Sequence, residues 1–107
     1  MAEIVKISSE GATASSEGEI RLATGERVGL RLWRDEPPNA DKPARRHDYE
    51  VVGYALSGRA ELEIEGEVTE LVAGDSWPVP AGASHTYRIR ETFSAVEAVA
   101  PPTVLRR

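Results

Sequence analysis

The sequence predicts an all-β protein, and three observations carry that prediction. Apolar and polar residues alternate with period two across several segments. Clusters of Gly, Pro, Asp and Ser interrupt those segments at intervals of roughly 8 to 12 residues. No segment carries apolar residues at helical spacing over the length of an ordinary helix. With 107 residues, 40% of them hydrophobic and 29% charged, the chain has the size and composition of one folded domain with a single core.

The elements follow in chain order. Residues 8–18, SSEGATASSEG, are small and polar without apolar periodicity, so residues 1–18 form an N-terminal strand and flexible arm, with the barrel domain over 19–107. Val28, Leu30 and Leu32 alternate with Gly29, Arg31 and Trp33 in a first strand. Residues 34–46 contain Pro37, Pro38 and Pro43, which fix φ and remove backbone donors, so this stretch is a loop. The Val- and Tyr-rich run from Asp48 to Leu56 is a strand that ends at Ser57-Gly58, a tight hairpin turn. Ala60, Leu62 and Ile64 alternate with Glu61, Glu63 and Glu65, giving one apolar and one acidic face. Glu65-Gly66, Ala73-Gly74-Asp75 and Pro80-Ala81-Gly82 mark further turns. His85, Tyr87 and Ile89 alternate with Thr86, Arg88 and Arg90, and the tail from Pro101 is extended. Strands at this spacing form an antiparallel sandwich or barrel of eight or more strands.

Composition excludes several functions. Zero cysteines rule out a disulfide scaffold, thiolate metal sites and cysteine nucleophiles, and cytoplasm is the expected compartment. A formal charge of −5 argues against nucleic acid or an anionic membrane surface as partner. No apolar run approaches the roughly 18 to 20 residues of a helical membrane span, and Met1 is not followed by a signal-peptide pattern. The absence of a phosphate-binding glycine loop argues against a nucleotide cofactor, and neither a nucleophile elbow nor a pair of catalytic carboxylates is present.

The string Gly74-Asp75-Ser76-Trp77-Pro78-Val79-Pro80-Ala81-Gly82-Ala83-Ser84-His85 resembles the second motif of the small single-domain cupin family, G-x5-P-x-G-x2-H-x3-N, with Ile89 at the final Asn position. Tyr54 to Leu62 looks like the segment that closes the first cupin motif. The resemblance spans residues 45–89 and implies a jelly-roll barrel, a homodimer, and a pocket that holds a divalent metal: iron, manganese, nickel, copper or zinc. Carried over residue by residue, the family's ligand positions fall on Arg45, His47, Val51 and His85. Two of the four are therefore histidines, and His47 and His85 are the candidate metal ligands. Strand parity turns Tyr49 and Val51 inward with His47 and turns Glu50 outward, so Glu50 joins as a third ligand only through a β-bulge.

Tyr49 and Tyr87 share the inward parity of the two histidines, and Arg45 has the parity to offer a guanidinium fork at the pocket mouth. Two imidazoles, two hydroxyls and a cation among apolar walls suit a small anionic or enolic ligand. Three functions remain open at this point. One is a small-molecule-binding protein with a degenerate metal site; another is a metal-dependent enzyme of dioxygenase or isomerase type, as the resemblance implies, acting on a small polar or anionic substrate. The third is a non-catalytic structural domain.

Overall fold

Two long strands organise the molecule. In the computed structural model, which describes residues 4–12 and 14–106, the strands are β1 (Ile20–Thr24), β2 (Gly29–Glu36), β3 (Glu50–Ile64), β4 (Glu67–Val72), β5 (Ser76–Val79) and β6 (His85–Ala100). All pairings between them are antiparallel, in the order β1-β2-β6-β3-β4, with β5 on the free side of β3. The first half of β3 pairs with β5 and the second half of β6; its second half pairs with β4 and the first half of β6. Each long strand thus serves two layers, and a single folded sheet makes the barrel.

The fold is all-β, with helical backbone confined among the described residues to two 3-10 turns. The strand count differs from the expectation: six continuous strands stand where eight or more were expected, because β3 and β6 run through the bend without a break. Ser57-Gly58 is accordingly no hairpin. The register between β3 and β6 shifts at Ala55/Ser57, Ser57/Arg59 and Arg59/Ala60, so the extra residues are absorbed as bulges that bend the strand. Gly58 takes φ +84°, and a Cβ there would lie 2.0 Å from the carbonyl oxygen of Thr92 on β6. A glycine that reads as a turn in sequence is a bend where two backbones meet. Glu65-Gly66, in contrast, is a two-residue hairpin turn with both φ values positive, 49° and 87°.

The tail also differs from its expected extended form. Pro102–Arg106 winds into a 3-10 turn that buries Pro102 and Leu105, and Leu105 joins the core. The proline-rich loop between β2 and β3 runs beside β6, where Asn39 bridges Ile89 and Arg45 bridges His85 through paired backbone hydrogen bonds.

The core gathers Val51, Leu62, Leu71, Trp77, Val79, Phe93 and Val99, with Tyr49 and Ile89 at its pocket end. In the second half of β3 the alternation is simple: Ala60 and Leu62 are buried, while Glu61 and Glu63 meet Arg88 and Arg90 on the outer face. In β2 it is inverted. Arg31 and Gly29 are buried and Leu30 is exposed, so the polar set of this strand faces the interior. Gly53 leaves room for Trp77 on β5: a Cβ at Gly53 would lie 2.4 Å from the indole.

Replacing Gly58 by Ala should destabilise the protein by about 2–3 kcal/mol, since both the left-handed backbone and the Thr92 contact oppose a side chain. Gly66→Ala, in open space, should cost about 1 kcal/mol. Urea unfolding of the two variants checks the difference.

Candidate functional site

One end of the barrel encloses a cavity of about 140 Å³. Its walls come from β2 (Arg31, Trp33), the segment leading into β3 (His47, Tyr49), β3 itself (Val51), β5 (Trp77) and β6 (His85, Tyr87, Ile89, Phe93, Glu97). Period-two alternation is what brings them together: on each strand the residues two apart share the inner face.

The sequence-selected residues meet along one wall. His47 stacks on Tyr49, with ring centroids 4.5 Å apart and planes 8° apart. The His47 and His85 rings meet edge to face at 5.1 Å, and His85 meets Tyr87 at 6.0 Å. His85 Nδ1 lies 3.1 Å from the carbonyl oxygen of Ala83. A carbonyl only accepts, so Nδ1 carries the proton, and the neutral ring keeps an acceptor at Nε2. That nitrogen and both ring nitrogens of His47 have no hydrogen-bond partner among the described residues. Burial, then the neighbouring His85 and the charge of Arg31, hold the His47 pKa below the ordinary value of 6.5, with Glu97 opposing.

Arg45 sits at the mouth, exposed, 3.6 Å from Glu17. Lys42 and Glu36 form a second mouth pair at 3.9 Å, with Lys42 5.8 Å from the Trp33 ring. Glu50 is exposed on the outer side of β3 and does not line the cavity. The continuous pairing of β3 from Glu50 to Ala55 leaves no bulge there to turn it inward.

A second group, absent from the sequence-selected residues, forms the floor. Arg31 is held between Glu97, 2.8 Å from its Nε, and Glu19, 3.1 Å from its Nη1, and all three side chains are less than a tenth exposed. Arg31 and Glu97 are direct cross-strand partners on β2 and β6. Glu97 Oε1 also accepts from the Trp33 indole at 2.7 Å, and its Oε2 accepts from the Tyr87 hydroxyl at 3.3 Å. Tyr87 in turn accepts from the Trp77 indole at 3.1 Å. Burial, and then the nearby Glu97 charge, raise the Tyr87 pKa above its usual range, so its hydroxyl stays protonated. Burial works against the charge of Arg31, yet Glu97, then Tyr49, outweigh it and raise its pKa; the guanidinium is always charged. Arg31 Nη1 also donates to the Tyr49 hydroxyl at 3.4 Å, and the guanidinium lies against the Trp33 and Tyr49 rings. Its Nη2 has no hydrogen-bond partner among the described residues. One sequence signal did mark Glu97: it is the lone charge in the run Phe93 to Ala100.

The donor set does not fit a divalent metal centre. Two imidazoles supply no charge, and such a centre needs further donors. Val51, at the family's carboxylate position, is a core side chain, and Arg45, at a histidine position, is a cation paired at the mouth. Of the carboxylates that line the cavity, Glu97 is saturated by Arg31, Trp33 and Tyr87, while Glu17 and Glu36 pair with Arg45 and Lys42 at the mouth. Among the described residues no group of three His, Asp or Glu side chains converges as a metal cluster.

A folded antiparallel sheet with a ligand-sized cavity at one end, walled by the histidine of a P-x-G-x-x-H turn, defines a small barrel of the cupin class. The cupin domain family matches residues 32–100, more than half of the chain, and the chain belongs to that family. Among solved structures it is similar to an RmlC-like cupin from Shewanella frigidimarina, with 17% identity, 92% of each chain covered and a TM-score of 0.80. KdgF from a Halomonas species shares 20% identity over 86% of this chain and 88% of that one, with a TM-score of 0.72. The TT1209 protein of Thermus thermophilus shares 26% identity over 84% and 90%, with a TM-score of 0.64. No curated protein matches the sequence.

Because the fold disfavours protonated His47, the stability this group contributes is present above about pH 6.5 and is lost as pH falls through its lower folded value. Wild-type protein should lose stability relative to His47→Gln between pH 7 and pH 5. Paired thermal melts, with NMR titration of the His47 ring giving a midpoint below 6.5, check this.

Proposed function

We propose that the protein is a small-molecule-binding cupin whose pocket takes a compact anionic or enolic ligand. One observation carries the reading. The floor carboxylates are engaged by their donors, while His85 Nε2 and the ring nitrogens of His47 meet the cavity without protein partners among the described residues. Each neutral ring offers one acceptor nitrogen to a hydroxyl or enol proton, and the aromatic rings around them exclude water from a ligand of that size. The metal-dependent oxidation or isomerisation implied by the resemblance lacks a donor set here, so the pocket works through hydrogen bonds and charge.

The expected test uses chelator-treated protein and three probes: acetate, pyruvate and acetylacetone. At least one should shift the ring resonances of both histidines saturably, and His85→Ala should weaken that binding by about tenfold, the loss of roughly 1.4 kcal/mol. Absence of a saturable shift with all three overturns the reading.

The same proposal includes a homodimer. Leu30, Val52, Tyr54 and Leu56 are exposed on the outer face of β2 and β3, and the registers Leu30–Ala98–Val52 and Leu32–Val96–Tyr54 make the apolar face continuous. A second copy suits this face. The acidic residues Glu61, Glu63, Glu67 and Glu70 lie on the other half of the barrel, so two copies meeting here keep their negative charge apart. Light scattering should give twice the 11.6 kDa chain mass, and Tyr54→Glu should give the monomer.

A further inference from the structure

We infer that Arg31 serves as the pocket's resident cation, receiving a carboxylate oxygen of the ligand through its Nη2 where relatives of this fold would use a metal ion. The inference rests on the reading of the cavity as a ligand site and goes on to name the group that the ligand must carry.

Four features support it. The guanidinium lines the cavity and is 7% exposed, yet one of its two terminal nitrogens keeps both N–H groups unpartnered among the described residues. No fully buried side-chain nitrogen among the described residues lacks a partner, so these N–H groups open onto the cavity, where an incoming oxygen meets them. The remaining donors are fixed: Nε to Glu97, Nη1 to Glu19 and the Tyr49 hydroxyl. The fork is therefore held in place before the ligand arrives, with the Trp33 and Tyr49 rings 5.4 and 5.6 Å from its central carbon.

Charge balance permits an anion. The floor alternates in sign, with Arg21 3.4 Å from Glu19, Glu19 against Arg31 and Arg31 against Glu97, so among these described residues each carboxylate faces a cation. Both oxygens of Glu97 are already occupied by donors, Trp33 and Arg31 on one and Tyr87 on the other. Arg31 is in this way linked through Tyr49 to His47 and His85. A ligand carboxylate at Arg31 thus leaves a neighbouring hydroxyl, enol or keto group to face the imidazoles. The ligand class is a small carboxylic acid with a second oxygen function, such as a 2-oxo or 2-hydroxy acid.

The experiment uses the full chain after chelator treatment, with acetate, acetamide and pyruvate as probes and NMR of the Arg31 Nε–H and Trp33 Nε1–H groups as readout. Acetate should shift both groups saturably and bind at least about fivefold more tightly than its uncharged isostere acetamide, as a charge-assisted contact requires. Pyruvate should bind more tightly than acetate and shift the histidine rings as well. Arg31→Lys keeps the charge but loses the fork and should weaken acetate by about tenfold. Because Arg31 is buried between carboxylates, the double variant Arg31→Gln with Glu97→Gln neutralises one pair and leaves Glu19 facing Arg21. It should bind acetate and acetamide alike. Equal binding of the two probes by the wild type, carboxylate preference retained in the double variant, or acetate binding that appears only when Zn²⁺ or Mn²⁺ is added overturns the inference. If acetamide or acetylacetone still shifts His47 and His85 while acetate leaves Arg31 unmoved, the pocket remains a ligand site and only the role of Arg31 falls.

Discussion

Nearly everything in this molecule depends on the pairing of β3 with β6 and on its bend at Gly58. The two strands pair from Glu50–Ala100 at one end to Ile64–His85 at the other, longer than one layer of a small domain can use. A straight ladder of that length would leave one face of each half uncovered. The bulged stretch from Ala55 to Ala60, against Glu91 to Ala95, folds the ladder over so that its halves share one core. Close backbone contact between Gly58 and Thr92 sets where the bend occurs. β2 and β1 then extend one half of the sheet, β4 extends the other, β5 caps the free side of β3, and the cavity is the space left at one end.

That space is filled on one side by apolar side chains and on the other by a charge network that the packing forces to be complete. A lone buried guanidinium would cost several kcal/mol. Arg31 is tolerated because Glu19 and Glu97 sit at hydrogen-bond distance and because the two indoles and Tyr87 supply the remaining donors and acceptors. No buried side-chain nitrogen or oxygen among the described residues lacks a partner. The network gives the pocket a rigid floor and leaves reactive capacity at few points, the imidazoles and one guanidinium nitrogen. Rigidity of this kind lowers the ordering cost of binding.

The site departs from the cupin motif positions in its charges. Where the cupin motifs carry a histidine and a carboxylate, this chain carries Arg45 and Val51, and a core valine cannot hold an ion. Positive charge on the cavity floor comes from Arg31 on β2, beside its cross-strand partner Glu97 on β6 and within reach of Glu19. The fold is shared with structures of 17, 20 and 26% identity at TM-scores of 0.80, 0.72 and 0.64, and such a barrel tolerates varied inner residues because backbone groups, not side chains, make the sheet hydrogen bonds.

Local pattern determined the class. Alternation in residues 60–65 and 85–90, the Glu65-Gly66 turn and the P-x-G-x-x-H string ending at His85 are properties of neighbouring residues, so the all-β fold and the inward parity of His85 and Tyr87 could be read directly. What tertiary structure alone decided were relations between distant residues. Gly58 has the composition of a hairpin turn, and only the approach of Thr92 makes it a bend within one strand. In β2 the leucines face outward and Arg31 inward, because the residues opposite it, Glu97 and Glu19, lie 66 and 12 positions away and compensate its charge. Periodicity reports that two faces differ; which of them is buried depends on what the rest of the chain brings to meet it.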